Sequence, residues 1–237
     1  MAQEVFKRVE KKYLLSLEQY NELKKLLKDE MILDQYGKHT IFNTYFDTDT
    51  YQLIRTSIEK PVYKEKLRLR SYSIPTENSK VFIELKKKYK GVVYKRRQEM
   101  TLRQANSYFS AGIRPAQSQI LREIDWFLAF YNPVPKVNIF YDRLAYYHKE
   151  EKDLRITFDT NILCRDYALD LRKGAWGSAI LPENKYLMEI KIPGAIPIWL
   201  SKKLTELEIY HTSFSKYGNW YKNYYMFHEK NGGVACV

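Results

Sequence analysis

Cysteine is nearly absent: Cys164 and Cys236 are the only two in 237 residues. Neither a disulfide framework nor a zinc cluster can be built from that pair. Long apolar runs are missing too, since charge or proline breaks every hydrophobic stretch well short of a membrane span. The opening residues MAQEVFKRVEKKYLLS contain no uninterrupted apolar segment of the secretory kind, so a reducing, cytoplasmic setting is expected. Repeats, low-complexity tracts and Pro/Gly/Ser linkers are lacking. At this length that favours one large unit: a single domain over residues 1–228, with a loose tail over 229–237. Neither a P-loop nor a kinase-type glycine-rich loop occurs, so any nucleotide chemistry uses another scaffold.

Positive charge is abundant instead. Lys and Arg number 40 against 28 Asp and Glu, a formal net charge of +12, which concentrates anionic partners. Hydrophobics make up 45% of the chain; that is enough for a real core and excludes a disordered basic tail.

Period-two alternation predicts strands near Phe6–Leu15, Ile41–Asp47, Val62–Tyr72, Val81–Lys88, Val92–Met100, Val137–Tyr146, Leu154–Leu163 and Tyr186–Ile192. Helical spacing predicts helices over 17–29, 118–131, from Ile198 and from Phe214. The first of these opens on a capping box, Ser16 with Gln19. Strands in runs with helices grouped around them indicate an α+β fold on an antiparallel sheet or barrel.

Splitting each strand into its two faces shows where the charge goes. Arg8, Glu10 and Lys12 share a face, as do Lys64, Lys66, Arg68 and Arg70, opposite Leu67 and Leu69. Glu84, Lys86 and Lys88 oppose Val81, Ile83 and Leu85, while Lys95, Arg97 and Glu99 align. Arg143 shares a face with Ile139 and Tyr141, Arg155 with Thr157 and Asp159, and Glu189 with Leu187 and Lys191. A sheet with one solvated face gives the same alternation. Long cations at matched positions of so many strands repel one another, however, and a closed barrel with a basic lumen and an anionic occupant accounts for them better.

Two occupants compete at this point. Single-stranded nucleic acid would need exposed stacking aromatics, yet most tyrosines fall in helical patterns such as NWYKNYYMF and no nucleic-acid motif is found. Phosphate chains suit regularly placed Arg and Lys, which bind phosphate oxygens by charge-assisted bonds. A carboxylate among these cations, Glu189 or Glu10, either neutralises them or holds a divalent cation that bridges phosphates.

At these residues the chain resembles the VTC domain, the polyphosphate polymerase domain of the vacuolar transporter chaperone family within the triphosphate tunnel metalloenzyme superfamily, in a short bacterial-type form. The matching stretches are FKRVEKKYLLS, NTYFDTDTYQL, KLRLRSY, VFIELKKK, VVYKRR, IFYDRLAYY, LRITFDTNI, YLMEIKI and SFSKYGNWY, in family order. The resemblance implies an antiparallel eight-stranded β-barrel tunnel with a basic lumen, flanked by helices. It implies transfer of the ATP γ-phosphate to a growing inorganic polyphosphate chain, assisted by a divalent metal, Mn2+ or Mg2+. Carried over, the phosphate-binding set is Lys12, Arg68, Arg70, Lys86, Lys95, Arg143, Arg155 and Lys191, with Ser215 and Lys216 at the tunnel mouth. Arg68, Arg70, Lys95 and Glu189 would carry the catalysis, and Glu189, with Glu10 second, would be the metal ligand. The expected partners are ATP and inorganic polyphosphate, with no specific nucleic acid and no membrane span; a membrane-associated partner protein is left unidentified. Hydrolytic relatives carry ExExK in the first strand, whereas this chain reads Arg8-Val9-Glu10-Lys11-Lys12. That departure removes one potential metal ligand and suits the polymerase branch; the alternatives are a tunnel-fold triphosphatase acting on tripolyphosphate or nucleoside triphosphates, and a non-catalytic polyphosphate-binding module. Eukaryotic members also attach an SPX domain and a transmembrane segment, neither of which is found in these residues.

Overall fold

The structure is a computed structural model that describes residues 9–90 and 92–225. Arg8, the expected start of the first strand at Phe6, Cys236 and the boundary at 228 lie outside the described residues.

The expected strands form, as β1 (Val9–Ser16), β3 (His39–Asp47), β4 (Tyr63–Ser71), β5 (Lys80–Tyr89), β6 (Val92–Thr101), β7 (Val134–His148), β8 (Arg155–Arg165) and β10 (Lys185–Ile192). Three short strands join them: β2 (Met31–Leu33), β9 (Ser178–Ala179) and β11 (His211–Thr212). Together they make one antiparallel sheet of eleven strands, ordered β11-β1-β10-β8-β7-β3-β4-β5-β6, with β2 on β7 and β9 on β8. The expected closed eight-stranded barrel is therefore corrected to a larger, open sheet. The physical reason lies at one edge. β11 takes the side of β1 that closure would offer to β6, pairing Thr212 with Lys12 and His211 with Tyr13.

The sheet twists, and register shifts at Tyr45/Phe46 and Phe140/Asp142 sharpen its curl. Side chains on its convex face are apolar and lie under helices. Leu67, Leu69, Val81, Ile83, Leu85 and Met100 pack with α3 (Leu102–Ala111) and α4 (Gln119–Tyr131). Tyr13, Leu15, Ile156, Phe158, Met188 and Ile190 pack with α1 (Leu17–Leu27) and α5 (Ile198–Glu206). A third cluster fills one end of the concave side. There Ile41, Tyr45, Ile139, Tyr141 and Leu187 meet Ile54 of α2 (Gln52–Ile58) and Phe214, Tyr217, Trp220 and Tyr221 around α6 (Lys216–Trp220).

Helix ends explain which helices the sequence reveals. Ser16 accepts from the Gln19 amide and Gln19 returns a bond to the Ser16 amide, the expected box on α1. Thr101 and Gln104 make a second box on α3, which ends on Gly112 at φ 66°, a left-handed position suited to glycine. The end of β6 runs straight into α3, which hides that helix in the sequence, and α2 is hidden because it lacks a side-chain cap on its own N-cap residue, Tyr51. Instead Asp47, at the end of β3, accepts from the amides of Thr48, Leu53 and Ile54. The helix expected from Phe214 begins at Lys216 and widens into a π-helical turn at Tyr221–Tyr225. Among the described residues no helix is long and apolar enough to cross a membrane.

Candidate functional site

Alternation in the strands puts the charged side chains on the concave face, where they fall into two ionic clusters. The first centres on Glu84 of β5, whose side chain is almost wholly buried. Arg68 approaches one carboxylate oxygen at 2.6 Å, with Arg70 at 3.8 Å. Lys95 and Arg97 from β6 each reach the other oxygen at 2.7 Å. Register explains the convergence, because Arg68 lies opposite Glu84 and Glu84 opposite Arg97 across the β4–β5–β6 ladder. Burial alone would favour the neutral acid, but Arg68, Arg70, Lys95 and Arg97 hold the Glu84 carboxyl far below the usual range. Arg70 also donates to Asn43 Oδ1 at 2.9 Å and to the Tyr141 hydroxyl at 3.0 Å, and Arg68 to the Tyr45 hydroxyl at 3.1 Å.

The second cluster joins β1, β7, β8, β10 and α6. Arg143 forks onto Asp159 at 2.6 and 2.7 Å. Lys216 donates to Asp159 at 2.6 Å and stands 3.6 Å from Glu189. Glu189 is further approached by Lys12 and Lys191, each at 3.4 Å, and by Arg143 at 3.9 Å. Burial opposes the charge on Glu189, yet Lys12, Lys216, Lys191 and Arg143 drive its pKa well below the ordinary value. Burial likewise opposes the charge on Lys216; Asp159 and Glu189 override it and raise the ammonium.

Two lysines are held well below their ordinary value. Lys66 is half-buried beside Lys12, Lys86, Lys64 and Arg68, and its desolvation, with these neighbours, lowers its pKa to about 7. Its ammonium donates to Ser215 Oγ at 3.3 Å, and Lys12 donates to the Phe214 carbonyl at 2.9 Å. Lys95 is also lowered to about 7, by burial and by Arg68 and Arg97, against the pull of Glu84. Lysines held near neutrality by other cations mark a cavity that gains from an anion.

Of the residues predicted from the sequence, Lys12, Arg68, Arg70, Lys86, Lys95, Arg143, Glu189, Lys191, Ser215 and Lys216 all gather in these ionic clusters on or against the charged face of the sheet. Glu10 does as well, 3.6 Å from both Lys12 and Lys86. Arg155 does not join them. It sits at the start of β8, where its guanidinium turns to Asp34 at 3.1 Å and its side chain is half exposed. Ser215 is the N-cap of α6, accepting from the Gly218 amide at 3.1 Å. Asp159, Glu84, Arg97, Lys66 and Tyr141 stand on the strand faces already picked out in the sequence but carry no role there, and Tyr45 has no signal of its own.

Among the described residues no group of three or more His, Cys, Asp or Glu side chains gathers as a metal site. Glu189 nevertheless offers one hard carboxylate toward the cavity, with Glu10 close enough to repel it electrostatically. One carboxylate suits an ion such as Mg2+ or Mn2+ that takes its other ligands from phosphates and water. The excess of cations disfavours a bare divalent ion. The residues therefore fit a metal that arrives with phosphate.

The fold has solved counterparts. A "putative adenylate cyclase" from Bacillus halodurans superposes with a TM-score of 0.59 at 14% identity, covering 94% of this chain and 100% of that one. A second "putative adenylate cyclase", from Vibrio parahaemolyticus, gives 0.48 at 12% identity over 92% and 98% of the two chains; that score is too low to argue from. The likeness is one of fold. Among curated proteins none matches the sequence. A family description, VTC domain, matches residues 7–225, nearly the whole sequence. Because that match spans most of the sequence, the chain belongs to the VTC domain family.

Proposed function

We propose that this chain is a polyphosphate polymerase, which transfers the γ-phosphate of ATP to the end of a growing inorganic polyphosphate chain held on the concave face of the sheet. The observation that carries the reading is the convergence of Arg68, Arg70, Lys95 and Arg97 on one buried carboxylate, beside Lys66, whose charge is disfavoured by burial and by the cations around it. Family membership and the tunnel-type fold support phosphoryl-transfer chemistry on triphosphates or polyphosphate.

On this reading Arg68, Arg70 and Lys95 grip the triphosphate, and Lys12, Lys86, Arg143 and Lys191 grip the acceptor chain. Arg155 stands outside the grip. Held in line, the terminal oxygen of the acceptor attacks the γ-phosphorus and ADP leaves, so no protein nucleophile is required. The cations are already fixed by Glu84, Asp159 and Glu189, and they meet charge developing on the transferring group without reorganising. Glu189 would hold the divalent metal, which when bound offsets further charge on the phosphates. Cys164 has no part: burial pushes its thiol up to about 12.

The test is incubation of the purified chain with ATP and manganese, with products resolved on a polyphosphate-staining gel and ADP and free phosphate assayed together. Long chains with matching ADP are the expected result. Free phosphate without chains assigns the cavity to triphosphate hydrolysis, and binding without turnover assigns it to polyphosphate capture; either overturns the polymerase.

A further inference from the structure

The two outer strands of the curled sheet do not join. Among the described residues no backbone ladder links β6 to β1 or β11, and β11 guards only Lys12 and Tyr13 of β1. Side chains reach from β1 past the β6 edge to the strand inside it: Glu10 Oε2 lies 3.6 Å from Lys86 Nζ of β5. The cavity's cations grade in exposure toward the seam between these edges. The side chains of Lys86 and Lys95, paired across β5 and β6, are each 43% exposed, whereas those of Arg70 and Lys216 keep 6% and 7%. One end of the concave side is blocked in addition, because Phe214, Tyr217, Trp220 and Tyr221 pack against Ile41, Tyr45 and Ile139 there. A chain threaded end-first therefore has the opposite mouth alone, while the seam runs along the flank of the basic face.

We propose that a polyanion enters this cavity sideways, through the seam between β6 and the β1–β11 edge, so that an internal stretch of a long phosphate chain is taken up without threading a free end. The inference rests on the reading of the cavity as a polyphosphate site. The Glu10–Lys86 pair is too wet to hold the edges firmly, and phosphate oxygens offer Lys86 a better partner than one carboxylate does. The long cations of β6 also keep that unpaired edge from recruiting a foreign strand, which lets the seam stay open.

The probe is long polyphosphate coupled to biotin at both terminal phosphates and capped with streptavidin, compared with the same chain uncapped. Binding to the full chain is followed by fluorescence anisotropy without nucleotide. The expected result is affinities within about threefold of each other and an association rate that rises with chain length. Capped chain binding more than about tenfold more weakly, with the uncapped chain still bound, overturns side entry alone. Failure of both chains to bind overturns it together with the reading of the cavity.

Discussion

Lys216 Nζ and Asp159 Oδ2 meet at 2.6 Å with both side chains almost wholly removed from water. This contact pins α6 to β8, and so holds the aromatic plug at the end of the basic cavity. Asp159 also carries both bonds from Arg143. Asp159→Asn therefore strands two buried cations, and the expected loss of stability is about 3–5 kcal/mol. Lys216→Met leaves the Arg143 fork intact and should cost clearly less. Urea denaturation of the two variants checks the order; equal losses would mean that Arg143 draws nothing from Asp159.

Lys66 and Lys95 set a pH dependence. Desolvation and neighbouring cations lower both to about 7, so a bound polyanion should draw protons onto them. Polyphosphate affinity is expected to fall as pH rises through 7 to 8.5, with net proton uptake on binding near neutrality. Calorimetry in buffers of different ionisation heat measures that uptake directly. The sign for stability is opposite. A lysine depressed in the folded state binds fewer protons there than in the unfolded chain, so the free protein should gain stability from about pH 7 toward the ordinary lysine value. Lys66→Arg should flatten both slopes.

Glu189→Gln separates grip from chemistry. Among cations the amide keeps a similar shape but gives up the charge that would hold a divalent ion. Turnover should vanish while polyphosphate binding persists or tightens. Loss of both together would remove Glu189 from the role of metal ligand. Lys95→Ala is the complementary probe, because its side chain is substantially exposed and its removal does little to the core. It should weaken every phosphate ligand by about tenfold, the value of one lost charge-assisted bond.

Thr101→Ala should lower stability by about 1 kcal/mol by breaking the box with Gln104, with no change in polyphosphate affinity. A binding defect in this variant would show that α3 steers the cations of β6.

The strands were legible because each obeys two simple rules at once, apolar residues to one side and long cations to the other. Leu67 and Leu69 against Arg68 and Arg70 carry the pattern within a few residues. Closure was not legible. Whether a sheet joins its ends depends on a partner nearly two hundred residues away, and His211–Thr212 is too short a strand for any alternation to show. Arg155 follows the parity of Asp159 yet leaves the site, because at the first residue of a strand a long side chain can turn to a loop acid such as Asp34. Asp159 and Glu84 were hidden for a different reason. In the sequence they read as scattered acids among bases, and register alone reveals that each stands at the focus of several cations.

The surplus of cations over Glu10, Glu84, Asp159 and Glu189 has a consequence for the protein at rest. Held in one cavity, these like charges push the folded chain apart, and whatever multivalent counter-ion the solution supplies relieves the strain. The same fold should accordingly be a different material in different buffers: soft in dilute chloride, firmer in phosphate, firmest with a condensed phosphate in place. For such a molecule the last stage of consolidating the core and the first stage of recognising a ligand are one event.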